Sequence, residues 1–222
     1  MSMRHIILAS LLTAALTGCQ TTKPYDYSAF KQSNPRSILV VQPSSSSVDV
    51  KAPFSVLAQA TYPLAESGYY VFPVALANET FKQNGLTDGK EIQSISLDKI
   101  QKVFNPDAIL YLNIRDYGTK FQVINSKTIV SVEAKLLDAK TGKLLWEGKK
   151  SISEDSHNSQ NYNLLSAVLN SVIAQIQNKV SERAYIVAGR VNHELLSADP
   201  THKGLLYGPY NPQYQLDSSE AK

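Results

Sequence analysis

Between residues 129 and 138 every second side chain is apolar: Val130, Val132, Ala134 and Leu136 alternate with Ser131, Glu133 and Lys135. A period of two suits an extended strand with one face buried and the other wet. Residues 108–117 repeat the pattern, with Ala108, Leu110, Leu112 and Ile114 on one face. The second of these runs ends in Asp138-Ala139-Lys140-Thr141-Gly142-Lys143. Asp and Thr satisfy turn amides there, and Gly142 supplies a positive φ. Residues 144–151, with Trp146, return as a third strand. The second half of the chain therefore predicts an antiparallel meander.

The first half has a different rhythm. Residues 37–41 (Ser-Ile-Leu-Val-Val) form a β-branched run ended by Pro43, expected as a strand buried on both faces. Ser44 to Ser47 read as a loop. Residues 52–67 predict a helix with Phe54, Leu57, Ala58, Tyr62, Leu64 and Ala65 as its apolar set. Pro53 suits its first turn, Pro63 is expected to kink or divide it, and Gly68 to close it. Residues 69–74 predict a second strand. Short helices follow at 76–84 and 96–104, with Ser96 as N-cap. A long amphipathic stretch from Asn163 to about Leu196 carries Leu164, Leu165, Val168, Leu169, Val172, Ile173, Ile176 and Val180 at helical spacing, and Gly189 is a candidate bend or end. Together these elements predict an α/β (α+β) fold: a mixed sheet with an antiparallel meander, covered by helices, with a long C-terminal helix.

The N-terminus carries the most specific signal. Arg4 lies in a short polar start, residues 6–16 are apolar, and Leu16-Thr17-Gly18-Cys19 follows. The apolar run falls short of the ~20 residues of a spanning helix. Its three-part order is that of a signal peptide, and the last four residues read as a bacterial lipobox. Cleavage before Cys19 leaves a thiol for diacylglycerol, and several acyl chains hold a protein on a membrane where one does not. The competing reading, a buried helix with an ordinary thiol, leaves the Thr-Gly-Cys order unexplained. Gln20, where Asp would retain a lipoprotein in the inner membrane, points to the outer membrane and its periplasmic face. The chain divides into a signal peptide (1–18), a lipid-anchored tether (19–35), a domain (36–198) and a C-terminal tail (199–222). The tether, if extended, reaches about 50 Å.

Composition narrows the function. The chain has a net charge of +3 and 43% hydrophobic residues. A balanced charge without a Lys/Arg run gives no nucleic-acid surface. A lone cysteine excludes a disulfide framework and a cysteine metal cluster. His193-Glu194-Leu195-Leu196-Ser197 begins like a zinc-protease motif but has Ser197 where the second His belongs. His157 and His202 have no ligand cluster at metal-binding spacing. Asp116, Glu133 and Asp138 read as solvated strand carboxylates rather than an acid–base set. No nucleophile elbow, phosphate loop or dinucleotide fingerprint occurs. The expectation is a non-enzyme without catalytic, metal or cofactor-binding residues.

Twelve tyrosines against one tryptophan and six phenylalanines suit half-exposed sheets and interfaces. Several fall in the tail, where Leu206, Tyr207, Tyr210 and Tyr214 are candidate docking residues. They fit a tail folded onto its own domain or one seated on a partner. A second copy of the chain is one candidate partner.

Three blocks carry a family resemblance: Asn34-Pro35-Arg36-Ser37-Ile38-Leu39-Val40, the run from Tyr62 through Gly68 to Val74, and Glu79-Thr80-Phe81-Lys82-Gln83-Asn84-Gly85-Leu86. With the lipobox and Leu206-Tyr207-Gly208-Pro209-Tyr210, the chain resembles the neisserial genome-derived-antigen lipoproteins, a family defined as a domain of unknown function. The resemblance implies a fold similar to the N-terminal domain of TolB, an architecture shared by the secretion lipoprotein CsgG. It further implies an auxiliary role in envelope transport or secretion beside a CsgG-like lipoprotein, and it carries over no catalytic residues. The serines at 44–47 look like a local departure from the family. Regulation of peptidoglycan synthesis and periplasmic ligand binding are the alternatives.

Overall fold

The computed structural model describes residues 24–121, 126–155 and 180–214. Cys19, the lipobox, His157 and the amphipathic stretch before residue 180 lie outside the described residues. The elements are α1 (Ser28–Ser33), β1 (Ser37–Val40), β2 (Ser44–Ser45), α2 (Ala52–Glu66), β3 (Tyr70–Val71), α3 (Val74–Gln83), α4 (Gly89–Gln93), α5 (Leu97–Phe104), β4 (Ala108–Phe121), β5 (Ser126–Asp138), β6 (Leu144–Asp155) and α6 (Val180–Leu196). A 3-10 turn at Pro200–His202 follows. They build the mixed α/β architecture expected, a six-stranded sheet in the order β3-β1-β4-β5-β6 with β2 also on β4.

The meander forms as the alternation requires. Strands β4, β5 and β6 pair antiparallel, with Leu110 opposite Leu136 and Leu136 opposite Trp146. Val130, Val132, Ala134 and Leu136 are buried, as are Ala108, Leu110, Leu112 and Ile114. In the turn, Asp138 Oδ1 accepts from the Lys140 and Thr141 amides and from the Thr141 hydroxyl. Gly142 has φ +72° there, so the turn uses the positive dihedral that glycine adopts without strain.

Strand β1 is buried on both faces and pairs parallel with β3 and β4. Ile38 and Val40 join a large core beneath α2 and α6. Leu39 and Val41 join a smaller one with Ala77 and Phe81 of α3, Ile92 of α4 and Ile100 of α5. Helices thus cover both faces of this half of the sheet. The polar face of β5 and β6, including Lys135, Lys149 and Ser151, is open to solvent.

Several local expectations fail for identifiable reasons. Pro63 does not divide α2, which runs unbroken to Glu66. The ring lies in the last turn and is buried, and the helix forgoes the one bond that an N–H at residue 63 would make to Gln59 O. The buried stripe of α2 is Ala52, Val56, Leu57, Ala60, Pro63 and Leu64, while Phe54, Ala58, Tyr62 and Ala65 face water. Gly68 does close the helix. With φ +93° it donates its amide to Ala65 O as Tyr69 donates to Leu64 O, which satisfies two orphan carbonyls. Ser96 holds the N-cap position of α5 without a side-chain cap bond.

Gly189 does not end α6. A methyl there would overlap the Gln59 side chain, and Gln59 Nε2 bridges Ser55 O and Tyr185 O to tie α2 to α6. The Ser44–Ser47 run is not merely a loop. Strand β1 covers β4 only from Ala108 to Leu110, so β2 pairs with Asn113 and Ile114 farther along the same edge. Gln93 fills the gap between them, donating to Gln42 O and Leu112 O.

Candidate functional site

Both ends of the described chain meet at one corner of the domain. The corner starts at the C-terminal end of α2, where Ser67 is buried. Ser67 Oγ donates to Pro63 O at 2.7 Å and accepts the Ala198 amide at 2.7 Å. The tail then runs back along the helix end. Gly208 N donates to Ser67 O at 2.8 Å, Tyr210 N to Gly68 O at 3.0 Å, and Asn211 Nδ2 to Glu66 O at 2.9 Å. This approach is backbone on backbone. A methyl on Gly208 would sit 2.6 Å from the Gly68 carbonyl carbon and 2.8 Å from Tyr69 Cδ1. Glycine is required there for space, and its φ is not positive.

Apolar burial anchors the same segment. Leu205 and Leu206 enter the large core, and the Tyr69 hydroxyl donates to Leu206 O at 2.6 Å. Trp146, 1% exposed, donates Nε1–H to Lys203 O at 3.0 Å. Asp199 shapes the loop between α6 and the tail by accepting from the Thr201 hydroxyl, the His202 amide and His202 Nδ1. Those bonds hold its carboxyl below the usual range, the Thr201 hydroxyl contributing most, despite a smaller opposing effect of burial.

The N-terminal segment closes the corner from the other side. Phe30 of α1 is 3% exposed and lies in the large core. Tyr27 packs edge-on to Phe30 and donates its hydroxyl to Gly204 O at 2.6 Å. Tyr25 lies 4.7 Å from the Tyr27 ring centroid, and its hydroxyl accepts the Glu147 amide at 3.1 Å. Ser33 donates to Asp138, linking α1 to the meander turn. At the far end of the tail, Tyr214 OH donates to Asn34 Oδ1, and Arg36 lies 5.8 Å from the Tyr210 ring centroid. Residues 24–35, within the range read as tether, are therefore bound to the domain. Only six peptide steps separate the docked Tyr25 from Cys19. Their full extension is about 20 Å, well short of the 50 Å expected for a free tether.

Leu206 of the four docking candidates is committed to the chain's own core, and Tyr214 bonds across to Asn34. Tyr207 is half-buried beside a groove of about 880 Å³ between β6, the end of α6 and the tail. Tyr210 is 60% exposed. The tyrosine excess was legible as an interface signal. Which interface it serves was not, because a phenol that bonds its own tail has the same composition as one that bonds a partner.

The carboxylates occupy structural places. Glu133 pairs with Arg115 at 2.8 Å, and that hydrogen bond is the main cause of its lowered pKa. Asp116 pairs with Lys120, and Asp138 caps the turn. On α6, His193 Nδ1 lies 3.4 Å from Ser197 Oγ and Glu194 pairs with Lys150. Among the described residues no three His, Cys, Asp or Glu side chains gather as a metal site. No helix among them is long and apolar enough to cross a membrane.

The family model described as "Putative lipoprotein GNA1162-like" matches residues 25–210. The chain is 44% identical over 209 residues to "Putative lipoprotein NMB1124/NMB1162" of Neisseria meningitidis serogroup B, spanning 93% of this chain and 96% of that protein. Among solved structures, lipoprotein GNA1162 from Neisseria meningitidis superposes with a TM-score of 0.54 at 46% identity, covering 65% of this chain and all of that one. The matched range starts at the docked Tyr25 and ends at Tyr210 of the tail. The chain belongs to the GNA1162-like lipoprotein family.

Proposed function

We propose that the chain is a non-enzymatic accessory subunit of an envelope transport or secretion assembly, held on the periplasmic face of the outer membrane by lipid on Cys19. The observation that carries this reading is the lipobox Leu16-Thr17-Gly18-Cys19, placed six residues before a segment locked onto the domain. A domain confined within about 20 Å of its acyl chains meets membrane-bound partners at an effective concentration far above its bulk value. Membership of a lipoprotein family supports the anchor, and Gln20 supports sorting to the outer membrane. A CsgG-like lipoprotein is the partner the family resemblance favours. Tyr210, with Tyr207 beside it, supplies exposed aromatic surface at the membrane-proximal corner, the kind of residue that anchors interfaces.

A photo-crosslinking residue at Tyr210, in the anchored chain in intact membranes, tests the reading. The expected product is one discrete adduct with an envelope protein in the outer-membrane fraction. Uncrosslinked monomer alone, or a chain recovered in inner membranes, contradicts it.

A further inference from the structure

Among the described residues strand β6 forms an edge of the sheet, and its sequence is self-complementary. The Glu147 amide bonds the Tyr25 hydroxyl instead of β5, so it points away from the sheet. The β5–β6 register runs without a break from Lys127–Asp155 to Leu136–Trp146. Alternation therefore turns the backbone N–H and C=O groups of Lys149, Ser151 and Ser153 outward as well. Among the described residues none of these groups has a backbone partner on that side. Such an edge is a template for another strand.

The residues along it read Lys149-Lys150-Ser151-Ile152-Ser153-Glu154-Asp155. The charges are antisymmetric about Ile152. We infer that this edge pairs with the same edge of a second copy, antiparallel and about a two-fold axis through Ile152. In that register Ile152 lies opposite Ile152 of the other copy and Ser151 opposite Ser153. Lys150 lies opposite Glu154, and Lys149 opposite position 155, an aspartate. The outward-facing residues Ser151 and Ser153 then form the hydrogen-bonded pairs, as the parity of an antiparallel ladder demands. Moving the axis two residues, to Lys150, would set Lys150 opposite Lys150.

Lysines on an edge discourage pairing with arbitrary strands. Here the acids at the other end of the run turn the same lysines into a match for one partner, the strand itself. The pairing extends charge rows already present. Lys150 pairs with Glu194 and Glu154 with Arg190 within one chain. Across the axis they become an alternating row of four charges on the α6 side. An isologous contact of this kind closes at two copies and leaves no further edge of its type exposed.

The test uses the full chain purified from membranes in detergent. Sedimentation of the wild type should give a concentration-dependent dimer. Ser151→Pro and Ser153→Pro each remove one outward N–H and no β5–β6 bond. Each should raise the dimer dissociation constant at least about tenfold, with the thermal transition preserved. Ile152→Cys reads the register. Residues opposite in a non-hydrogen-bonded pair have Cα atoms about 4.5 Å apart, within disulfide reach. Oxidation in membranes should give a reducible dimer that the parent, whose one cysteine is Cys19, does not give. A monomer at all concentrations, or a dimer that both proline variants leave intact and that Ile152→Cys does not crosslink, overturns the inference.

Discussion

Replacing Gly208 by alanine puts the corner under direct strain. The added methyl would stand 2.6 Å from the Gly68 carbonyl carbon and 2.8 Å from Tyr69 Cδ1. Backbone cannot swing aside as a side-chain tip does, so the two segments must part. Two bonds then weaken, Gly208 N to Ser67 O at 2.8 Å and Tyr210 N to Gly68 O at 3.0 Å. At about 1 kcal/mol net for each, with overpacking of about 1–3 kcal/mol, the expected loss is about 3–5 kcal/mol. The single tryptophan provides the assay. Trp146 is buried and bonded to Lys203 O, so its emission reports both global unfolding and release of the tail. Urea titration followed by emission should show a midpoint lowered in proportion, or a red-shifted baseline before unfolding if the tail alone detaches. Gly85→Ala is the control. It has φ +80° but nothing within 4 Å, so it suffers only dihedral strain of about 1–2 kcal/mol. A Gly208→Ala protein with unchanged midpoint, baseline and tail protection from protease would refute the close-approach argument.

Three further outcomes follow from the same contacts. Tyr27→Phe removes the bond to Gly204 O and should cost about 1 kcal/mol, read as faster hydrogen exchange in α1 and at residues 203–206. Gly148→Ala would place a methyl 2.7 Å from Trp146 Cη2 and 3.1 Å from Leu195 Cδ1, so overpacking should cost about 1–3 kcal/mol by thermal unfolding. Stability should fall on acidification: Asp138 and Asp199 titrate below their unfolded value, so their contribution is complete above that value and is lost as pH drops through the folded one. At Asp138 burial opposes the shift, and bonds from Ser33, Thr141 and Lys140 outweigh it. Asp138→Asn should flatten the unfolding profile on the acid side of the ordinary aspartate value of about 3.8.

Where one interaction dominates, the sequence was readable. The period of two in β4 and β5 has a single solution, and the Asp138–Gly142 turn chemistry fixes the hairpin in place. Where several placements compete, composition could not choose. The apolar residues of α2 span more than one face, and only packing against α6 selects Val56, Ala60 and Leu64 over Phe54 and Tyr62. Ser44 and Ser45 have little strand propensity of their own. They pair because β1 is too short to cover the rest of β4. The corner was the hardest to foresee. Phe30 and Tyr27 sit in a polar, proline-bracketed run, and nothing local shows that Phe30 enters the large core or that Tyr27 bonds Gly204, 177 residues away in the chain.

Whether lipid on Cys19 holds the domain close to a membrane is read by mass spectrometry of the N-terminal peptide of the membrane-purified chain. The expected chain begins at Cys19 and carries diacylglycerol on the thiol and an acyl group on the new amine, both absent from Cys19→Ser. A chain that keeps Met1, or one whose Cys19 thiol is unmodified, contradicts it.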